Sequence, residues 1–475
     1  MNSSYDAQKE HRWRFRFVER RVMLLYGDII AEILALVAAL VVWGSQAEFL
    51  GFSIPFILER VPGWFFFLPL IWLFLLIEIY DVRKASSWNH TLQSVGTAAV
   101  IGSILYLGVY FTSPPESLPR IGVAAFILGS VVFTLFWRFF YIKVLTSEQF
   151  LRRVLLVGGG VSGKILLQSI NALDPKPYFM IGVIDDDSAK LGQEIEGYKV
   201  LGSGRDLLDV IQSERISDII VAISGGINGE TFQTLLDAQE LGVDIIRMPV
   251  AYEDLNQQVP IRILEADWIL RSFVDDTGVS GLYNVGKRIM DFIGGLIGVG
   301  IYLLLLPLVA VLILLDDGLP IFYRQERLGQ SAKPYKIIKF RTMVKDAETD
   351  GQAQWASEND QRVTKIGRFL RRTHLDEFPQ FINVLKGEMS LVGPRSERPS
   401  LVNKLQEDVP FYRARLLVKP GVTGWAQINY GYPETIDETI NKLEYDLYYI
   451  KNRTILLDLR IILRTPATIF GFKGK

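Results

Sequence analysis

The first long apolar stretch of the chain reads Leu24-Leu-Tyr-Gly-Asp-Ile-Ile-Ala-Glu-Ile-Leu-Ala-Leu-Val-Ala-Ala-Leu-Val-Val-Trp43. A helix that spans a bilayer needs about 20 predominantly apolar residues, and this stretch supplies them. Three comparable stretches follow at 63–79, 92–111 and 121–137. Together they predict a four-helix transmembrane bundle over residues 1–148. The first stretch is not expected to be a cleaved signal peptide, because three further spans follow it.

The composition fits a membrane protein and narrows the possible partners. Of the 475 residues, 49% are hydrophobic, and the net charge of -1 gives no field that would attract nucleic acid. The chain has no cysteine, which excludes disulfides and cysteine metal sites. With three histidines, a His-rich metal site is not expected either. A metal here would be a hard ion held by carboxylates and phosphates.

Charges that flank the apolar stretches predict the orientation of the bundle. Basic residues cluster before the first stretch, after the second and after the fourth: Arg12, Arg14, Arg16, Arg20, Arg21, Arg83, Lys84, Arg138, Lys143, Arg152 and Arg153. The opposite loops carry chiefly Arg60 and Arg120. Because positively charged loops remain in the cytoplasm, both ends of the bundle are expected to face it.

Asp28 and Glu32 stand four residues apart within the first stretch. Ionisable residues inside a membrane are costly, so a contact with a lipid carrier or an ion is one hypothesis. The interpretation we favour from the sequence is that they snorkel or pair with Arg20 and Arg21.

Residues 149–255 predict a Rossmann-like α/β module. A strand-like run, Arg153-Val-Leu-Leu-Val157, leads into Gly158-Gly-Gly-Val-Ser-Gly163 and then into a helical pattern. Three further strand-like runs follow at 179–184, 219–223 and 243–248, with a helical stretch at 229–241. Strands that alternate with helices predict a small parallel, doubly wound sheet.

Gly158, Gly160 and Gly163 follow the G-x-G-x-x-G spacing in a strand-to-helix context, and Asp185 follows the second strand. Such glycines let a phosphate approach a helix N-terminus, and an acidic residue at the Asp185 position can hold a ribose hydroxyl. A bound nucleotide is one interpretation. The other is a fold kept for regulation or dimerisation, with glycines that serve only the turn.

A fifth apolar run, 292–315, follows a linker at 256–281 and contains Pro307. Basic residues lie on both sides of this run, so a full crossing would leave the Arg- and Lys-rich C-terminal part outside the cell. Pro307 removes a helical hydrogen bond. We therefore expect a re-entrant membrane helix at about 288–316, broken at Pro307, with a fifth full span as the alternative.

Charged residues cluster in the C-terminal part in a way that a packed core would not need. Asp376 and Glu377 are adjacent, so on a helix they point about 100° apart and cannot form a facing acid/base pair. One carboxylate can attack phosphorus while the other binds a metal or positions a group. The cations that suit a diphosphate are Lys339, Arg341, Arg371, Arg372, Arg395 and Arg398. Taken alone, an Asp-Glu pair near Arg-Arg is more often a solvated helix face.

The ordered set of motifs in this part of the chain is stronger evidence of function than the Asp-Glu pair alone. Residues 282–475 closely resemble the catalytic domain of the bacterial polyprenol-phosphate phosphoglycosyl transferases that initiate exopolysaccharide, capsule and O-antigen synthesis. The motifs are Lys287-Arg288 with Asp291, Lys339-Phe-Arg-Thr-Met343, Leu375-Asp-Glu-Phe-Pro-Gln380, Asn383-Val-Leu-Lys-Gly-Glu-Met-Ser-Leu-Val-Gly-Pro-Arg395, Lys419-Pro-Gly421 and Gly424-Trp-Ala-Gln427. Four spans and a Rossmann-like module in front resemble the large members of that family.

The resemblance implies an activity and roles for particular residues. Asp376 would attack the β-phosphate of a UDP-sugar, UMP would leave, and undecaprenyl phosphate would accept the phosphosugar. Glu377 would help to hold Mg²⁺, together with Asp376, or handle a proton, and the arginines would bind phosphates. The resemblance also implies contact with membrane lipids, a bacterial inner-membrane location with the catalytic domain in the cytoplasm, and a possible homodimer.

Three departures from the family pattern concern the helix break and the substrate site. Leu306-Pro307 replaces Ser-Pro at the expected break, and Ser396 stands where many relatives have a proline after Arg395. Asn429-Tyr-Gly-Tyr432 replaces Asn-Gly-Arg, so an arginine of that motif is missing. The sugar that is transferred is therefore not predicted.

Two rival functions were weighed against this one. A membrane-anchored nucleotide-sugar epimerase or dehydratase would need a Tyr-x-x-x-Lys pair, and two matches exist, Tyr283…Lys287 and Tyr335…Lys339. The first adjoins the apolar run and the second lies in a strand-like stretch, so both are interpreted as accidental. A non-enzymatic scaffold or chain-length regulator would not need the polar residues around Asp376.

Overall fold

A computed structural model describes residues 15, 17–46, 51–112, 119–223, 225–264, 281–345, 347, 360–431, 433 and 435–469. The chain divides into two compact units, Met1–Ala251 and Tyr252–Lys475. Most of the predicted linker, at 265–280, lies outside the described residues. The part before it is not an extended linker, because Val259 and Ile261 are buried in the core of the second unit.

The first unit begins with apolar helices. They are α1 (Phe17–Gln46), α2 (Ile54–Arg60), α3 (Leu68–Leu75), α4 (Val82–Ala85), α5 (Trp88–Thr112) and α6 (Arg120–Phe140). Short 3₁₀ turns at Gly63–Phe67 and Ile77–Tyr80 flank α3, and a π-helical turn, Tyr141–Leu145, continues α6. Over the described residues, the helices long and apolar enough to cross a membrane are Glu19–Gln46, Trp88–Phe111, Arg120–Leu145 and Gly281–Asp317.

The second predicted span has a different form from the one expected. The predicted stretch, 63–79, forms a helical piece, Gly63–Leu75, and the turn Ile77–Tyr80, and a bend of 101° separates it from a preceding helix, Ile54–Arg60, that was not predicted. Pro62 lies at this break, and proline disfavours helical backbone in the residue that precedes it. The helix Ile54–Arg60 accordingly ends at Val61, which is extended. If the bent pair counts as one span, the chain has five candidate spans.

Helices α1 and α6 pack side by side through buried polar groups. Arg138 donates to Asp28 at 2.5 Å, and both side chains are fully buried. The Glu32 carboxylate accepts from Ser130 at 2.6 Å and from Thr134 at 3.0 Å. The predicted pairing of these carboxylates with Arg20 and Arg21 is wrong. Those arginines donate to the carbonyl oxygens of Leu145 and Tyr80 instead.

The α/β part of the first unit contains a six-stranded sheet. Its strands are β1 (Arg153–Val157), β2 (Phe179–Ile184), β3 (Glu194–Ile195), β4 (Tyr198–Gly202), β5 (Asp218–Val221) and β6 (Asp244–Arg247). Its helices are α7 (Val161–Asn171), α8 (Leu207–Glu214), α9 (Gly229–Glu240) and α10 (Met248–Asn256), the last of which crosses the division between the units. The strand order is β3-β4-β2-β1-β5-β6. All pairs are parallel except β3 with β4, as the alternating pattern predicts for the core strands.

The second unit is mainly helical. Its helices are α11 (Gly281–Asp317), α12 (Lys365–Arg372), α13 (Phe381–Lys386), α14 (Pro399–Asp408), α15 (Trp425–Asn429), α16 (Ile436–Asn452) and α17 (Ile455–Ile469). Its strands are β7 (Phe322–Leu328), β8 (Pro334–Phe340), β9 (Ser390–Val392) and β10 (Gly421–Thr423). Strands β7 and β8 form an antiparallel hairpin, and β9 pairs with β10 in parallel.

Helix α11 runs without interruption from Gly281 to Asp317. Pro307 lies inside it and does not end it, in contrast to the break expected from the sequence. The proline removes one backbone donor, and the residues on either side keep helical geometry. A face of small residues allows close packing, since a Cβ added to Gly298 would lie 2.3 Å from the Phe381 ring.

We expect Gly163→Ala to loosen the α/β module and Gly160→Ala to leave it unchanged. A Cβ on Gly163 would lie 2.1 Å from the carbonyl oxygen of Gly158, whereas one on Gly160 would meet no atom within 4 Å. Overpacking of this kind costs about 1–3 kcal/mol. Amide hydrogen exchange across β1 and α7, measured by mass spectrometry, should therefore be faster in the first variant. Equal exchange in the two variants would show that the loop relaxes around the added methyl group.

Candidate active site

The Asp376-Glu377 pair lies on a 3₁₀-helix, Leu375–Gln380, that follows α12. His374 precedes it in the left-handed region, with φ of 56°, and so turns the chain out of α12. A 3₁₀-helix has three residues per turn, so neighbouring side chains point about 120° apart. The predicted divergence of the two carboxylates is therefore present, although the helix type differs. Both side chains are buried, with exposures of 7% for Asp376 and 8% for Glu377.

Two cations from separate segments hold the Glu377 carboxylate. Lys339, on β8, donates to Oε1 at 2.7 Å, and Arg395, which follows β9, donates to the same oxygen at 2.6 Å. Burial by itself would raise the pKa of Glu377, but Arg395 and Lys339 outweigh it and lower that pKa well below its usual range. Glu377 is therefore a carboxylate at neutral pH, and its charge fixes the position of both cations.

Asp376 has different surroundings from its neighbour. Within the described part of the chain, its carboxylate makes no hydrogen bond or ion pair. Burial, and next the negative charge of Glu377, raise its pKa to about 6, while Lys339 and Arg395 act in the opposite direction. At neutral pH Asp376 is thus mostly ionised and has no internal partner, which are the properties that a nucleophile requires.

A second group of buried charges holds the backbone of Arg395 in place. Arg415 donates to the Arg395 carbonyl oxygen at 2.9 Å, and its Nε donates to Asp446 at 2.8 Å. Arg395, Arg415 and Glu397 also line a cleft of about 310 Å³. Sequence reasoning missed this support. The available signal was the occurrence of Arg415 and Asp446 in stretches rich in aromatic and aliphatic residues.

The other predicted phosphate-binding arginines lie in different places. Arg341 donates to the carbonyl oxygens of Asp317 and Gly318, at 2.8 and 2.7 Å, so it closes the end of α11 and does not join Glu377. Arg371 donates to the Thr342 hydroxyl at 2.8 Å and is close enough to lower the pKa of Asp376. Arg372 is exposed on α12, and Arg398 stands immediately before α14.

Backbone conformation and packing explain part of the glycine pattern in the loop of the first unit. Gly158 has φ of +104°, and Gly163 packs against it. Asp185 does not present a free carboxylate, because Oδ2 accepts from the Gly159 amide at 2.7 Å and from Lys190 at 3.0 Å. Gly160 borders open space. A nucleotide at this loop stays a prediction, and the geometry gives Asp185 the role of holding the loop.

The donor set near Asp376 fits a metal ion only in a limited way. Among the described residues, no three His, Cys, Asp or Glu side chains are grouped to hold one. Mg²⁺ is commonly bound through one or two carboxylates together with substrate phosphates. Asp376 can supply one such ligand, whereas the Glu377 carboxylate is engaged by Lys339 and Arg395. The residues therefore fit an ion that arrives with a diphosphate, not a cage formed by the protein alone.

Comparison with known proteins gives two family matches. Residues 282–471 match the family described as bacterial sugar transferase, and residues 76–249 match a family described as CoA-binding domain. The first match contains every residue of the candidate active site. The second covers the later apolar helices and most of the α/β module.

Three relatives illustrate the similarity. A UDP-N-acetylgalactosamine-undecaprenyl-phosphate N-acetylgalactosaminephosphotransferase of Aeromonas hydrophila is 42% identical over 197 residues, 41% of this chain and 46% of that protein. A UDP-glucose:undecaprenyl-phosphate glucose-1-phosphate transferase of Caulobacter vibrioides is 38% identical over 188 residues, 39% of this chain and 70% of that protein. A UDP-galactose-lipid carrier transferase of Erwinia amylovora is 28% identical over 495 aligned positions, 98% of this chain and 99% of that protein. The match to the Aeromonas protein thus spans less than half of its length.

We expect Asp376→Asn to stabilise the protein at pH 7 and Glu377→Gln to destabilise it. Folding raises the pKa of Asp376 from 3.8 to about 6, so the ionised form costs up to about 3 kcal/mol at neutral pH. This cost disappears as the pH falls below the unfolded value of 3.8, where the carboxyl is protonated in both states. Glu377 has the opposite sign, because its anion is stabilised and its removal takes the carboxylate away from two partly buried cations, Lys339 and Arg395. Thermal unfolding midpoints of both variants at pH 7 and at acidic pH test these two predictions. A lower midpoint for Asp376→Asn than for wild type at pH 7 would contradict the raised pKa of Asp376.

Proposed function

Since the chain belongs to the bacterial sugar transferase family, we propose that it transfers a sugar-1-phosphate from a UDP-sugar to undecaprenyl phosphate and releases UMP. The observation that carries this proposal is the pair of unlike carboxylates: Glu377 is held by two cations, and Asp376 is buried without a hydrogen bond or ion pair to any described residue. The named activities of the three relatives support the same donor and acceptor classes. Such a transfer would be the first membrane step in the synthesis of a surface polysaccharide.

The proposed reaction has two displacement steps. A carboxylate oxygen of Asp376 attacks the β-phosphorus, and the bond from that phosphorus to the oxygen bridging the two phosphates breaks. UMP departs with this oxygen and its electron pair, and the phosphosugar stays on Asp376 as an acyl-phosphate. A phosphate oxygen of undecaprenyl phosphate then attacks the same phosphorus. The Asp376 carboxylate is released, and the lipid-linked diphosphate sugar forms.

Lys339 and Arg395 would bind the transferred phosphate, because both are already fixed beside Asp376 by their bonds to Glu377. Guanidinium and ammonium groups stabilise the charge that builds up on phosphoryl oxygens. The lowered pKa of Glu377 argues against a role in proton transfer at neutral pH. Its proposed role is to hold the two cations in place, in contrast to the metal or proton role expected from the sequence.

Mg²⁺ is part of the proposal as an ion bound by the diphosphate, with Asp376 as the side chain placed to contact it. When bound, it would neutralise part of the diphosphate charge that otherwise repels a carboxylate. The residues of the chain then orient the reacting groups. Lys339 and Arg395 bind the phosphate, and Asp376 faces the phosphorus that it attacks.

We also propose that both ends of α11 lie on the cytoplasmic side of the membrane. Near its start, Asp291 accepts from Ser390 and from the Leu391 amide, each at 2.9 Å. Near its end, Asp316 accepts from the Ile366 amide at 2.9 Å. The same polar unit therefore holds both ends, which a helix crossing the bilayer would place on opposite sides. A helix that enters the membrane without crossing it satisfies both contacts.

The contacts of the Tyr-x-x-x-Lys candidates do not favour the epimerase alternative. Tyr283 and Lys287 both bind Asp458, at 3.1 Å each, and so join α11 to α17. Lys339 of the other pair binds Glu377.

We expect Asp376→Asn to abolish the release of UMP from UDP-sugars, while Glu377→Gln retains a reduced rate. The amide cannot attack phosphorus, whereas loss of Glu377 only loosens Lys339 and Arg395. Without undecaprenyl phosphate, wild-type protein mixed with a UDP-sugar should gain the mass of a sugar phosphate on the peptide that contains Asp376. Screening several UDP-sugars identifies the donor. Undiminished turnover in Asp376→Asn would rule out the covalent mechanism.

The rate of UMP release in a single turnover should fall as the pH decreases through about 6, where Asp376 becomes protonated. The charge of Glu377 contributes to that raised pKa, so Glu377→Gln should move the acid limb to lower pH. Rapid-quench measurements between pH 5 and 8 (roughly the range in which the two forms interconvert) test this. An acid limb at the same pH in both proteins would assign it to the substrate phosphates.

A further inference from the structure

The Thr342 hydroxyl contacts a cation of the candidate active site. Thr342 follows β8, and its hydroxyl oxygen accepts a hydrogen bond from Nε of Arg371 at 2.8 Å. The residue is buried, with an exposure of 6%. A hydroxyl carries no charge, so this bond orients the guanidinium without neutralising it. The contact joins the chain after β8 to the end of α12, a short distance before Asp376.

Backbone contacts on several sides fix the position of Thr342 itself. Its carbonyl oxygen accepts from the Thr364 amide at 3.1 Å. A Cβ on Gly367 would lie 2.0 Å from the same oxygen, so α12 packs directly on this backbone. The preceding amide, that of Arg341, donates to the Ile321 carbonyl oxygen at 2.9 Å. The hydroxyl is therefore held by a closely packed part of the second unit.

Helix α12 stays in place through contacts that do not involve the Arg371 side chain. Leu370 is fully buried in a cluster with residues of α11. The Ile366 amide donates to Asp316, near the end of α11, at 2.9 Å. These contacts, together with the packing on the Thr342 backbone, account for the position of the helix. The bond from Arg371 to the hydroxyl therefore constrains one side chain, and its consequence is the orientation of a guanidinium.

The bond at Nε leaves the outer edge of the Arg371 guanidinium available. In the part of the chain that the structure describes, neither Nη group has a hydrogen-bond or ion-pair partner. Paired donors of this kind match two oxygens of a phosphate. Burial raises the pKa of Asp376, and Arg371 is one of the cations that act in the opposite direction, so its charge lies near that carboxylate. Arg371 thus has a free phosphate-binding edge beside the candidate nucleophile.

We propose that Thr342 is a positioning residue, whose hydroxyl holds the Arg371 guanidinium so that both Nη groups bind the diphosphate of the UDP-sugar. The inference rests on the proposed function, because that function supplies the diphosphate. An arginine side chain has several rotatable bonds, and a bond at Nε removes much of this freedom before the substrate arrives. Lys339 and Arg395 are fixed in a different way, by a carboxylate. A neutral partner keeps the full positive charge of Arg371 available to the phosphates.

A double-mutant cycle in the full-length protein tests the link between Thr342 and Arg371. It compares wild type, Thr342→Val, Arg371→Met and the protein with both changes. Valine resembles threonine in shape and lacks the hydroxyl, and methionine keeps an apolar stem without the donors of arginine. The measurement is the first-turnover rate of UMP release from the UDP-sugar that wild type uses, together with the thermal unfolding midpoint of each protein.

Two further variants separate the hydroxyl from other effects of substitution. Thr342→Ser keeps the hydroxyl and loses only the methyl group. Thr373→Val is the matched control on α12, because the Thr373 hydroxyl donates to the Phe369 carbonyl oxygen at 2.9 Å and not to a side chain of the site. If the unfolding midpoint of Thr342→Val falls, Thr342→Ala, which also lacks the hydroxyl, takes its place in the cycle.

We expect Thr342→Val to slow UMP release about tenfold, the effect of losing one hydrogen bond to a charged group. Thr342→Ser should restore most of the rate, and Thr373→Val should release UMP as wild type does. In the Arg371→Met background, Thr342→Val should have no further effect, because the group that the hydroxyl orients is gone. A residue that served only the packing of the chain would slow both backgrounds equally.

An equal loss of rate from Thr342→Val in both backgrounds would therefore overturn the proposal. So would a wild-type rate in Thr342→Val, or a Thr342→Ser protein as slow as Thr342→Val. The dissociation constant for UDP, measured by calorimetry on the same proteins, should show the same non-additive pattern without turnover. A wild-type protein that binds UDP with this pattern and releases no UMP from UDP-sugars would refute the proposed function and retain the orienting role of Thr342.

Discussion

The ion pairs of Glu377 with Lys339 and Arg395 are the interaction on which the candidate active site depends. They join three segments that are far apart in the sequence: the β7–β8 hairpin, the 3₁₀-helix after α12 and the loop after β9. Loss of both cations would leave the buried carboxylate uncompensated, which is strongly destabilising. The same charges make Asp376 and Glu377 different, because the cations satisfy one carboxylate and leave its neighbour with a raised pKa. The geometry of the site and the difference between its two carboxylates therefore have one origin.

Much of the fold could be predicted because its signals are local. The apolar runs mark α1, α5, α6 and α11, and the strand-like runs mark the parallel core of the α/β module. Of the residues that the motifs around Asp376 singled out, Lys339, Glu377 and Arg395 do meet. The helix Ile54–Arg60 and the 101° bend that joins it to the second predicted span were not predicted, although Pro62 and Gly63 stand at the bend. Membrane spans are predicted from the length and apolarity of a stretch, and neither property indicates where proline and glycine bend the chain.

What could not be predicted depends on long-range partners. Nothing local distinguishes Arg341, which closes the end of α11, from Arg395, which binds Glu377, because both follow strands and lie in polar motifs. Arg415 and Asp446 acquire their role only when α16 packs behind Arg395. Pro307 predicted a break that is absent from α11. The packing of that helix along the second unit supports it on both sides of the proline, and tertiary contacts here override the local preference.

The buried pair of Asp28 and Arg138 has a consequence for how the protein is made. The two residues are 110 positions apart, and both side chains are fully buried between α1 and α6. At a synthesis rate of about 5–20 residues per second, α1 leaves the ribosome roughly 5–20 seconds before the arginine that neutralises it. During that interval a helix with two carboxylates has no counter-charge within the membrane, where isolated charges are costly. We therefore expect the insertion machinery to retain α1 until α6 has been synthesised, so that the two helices enter the lipid together.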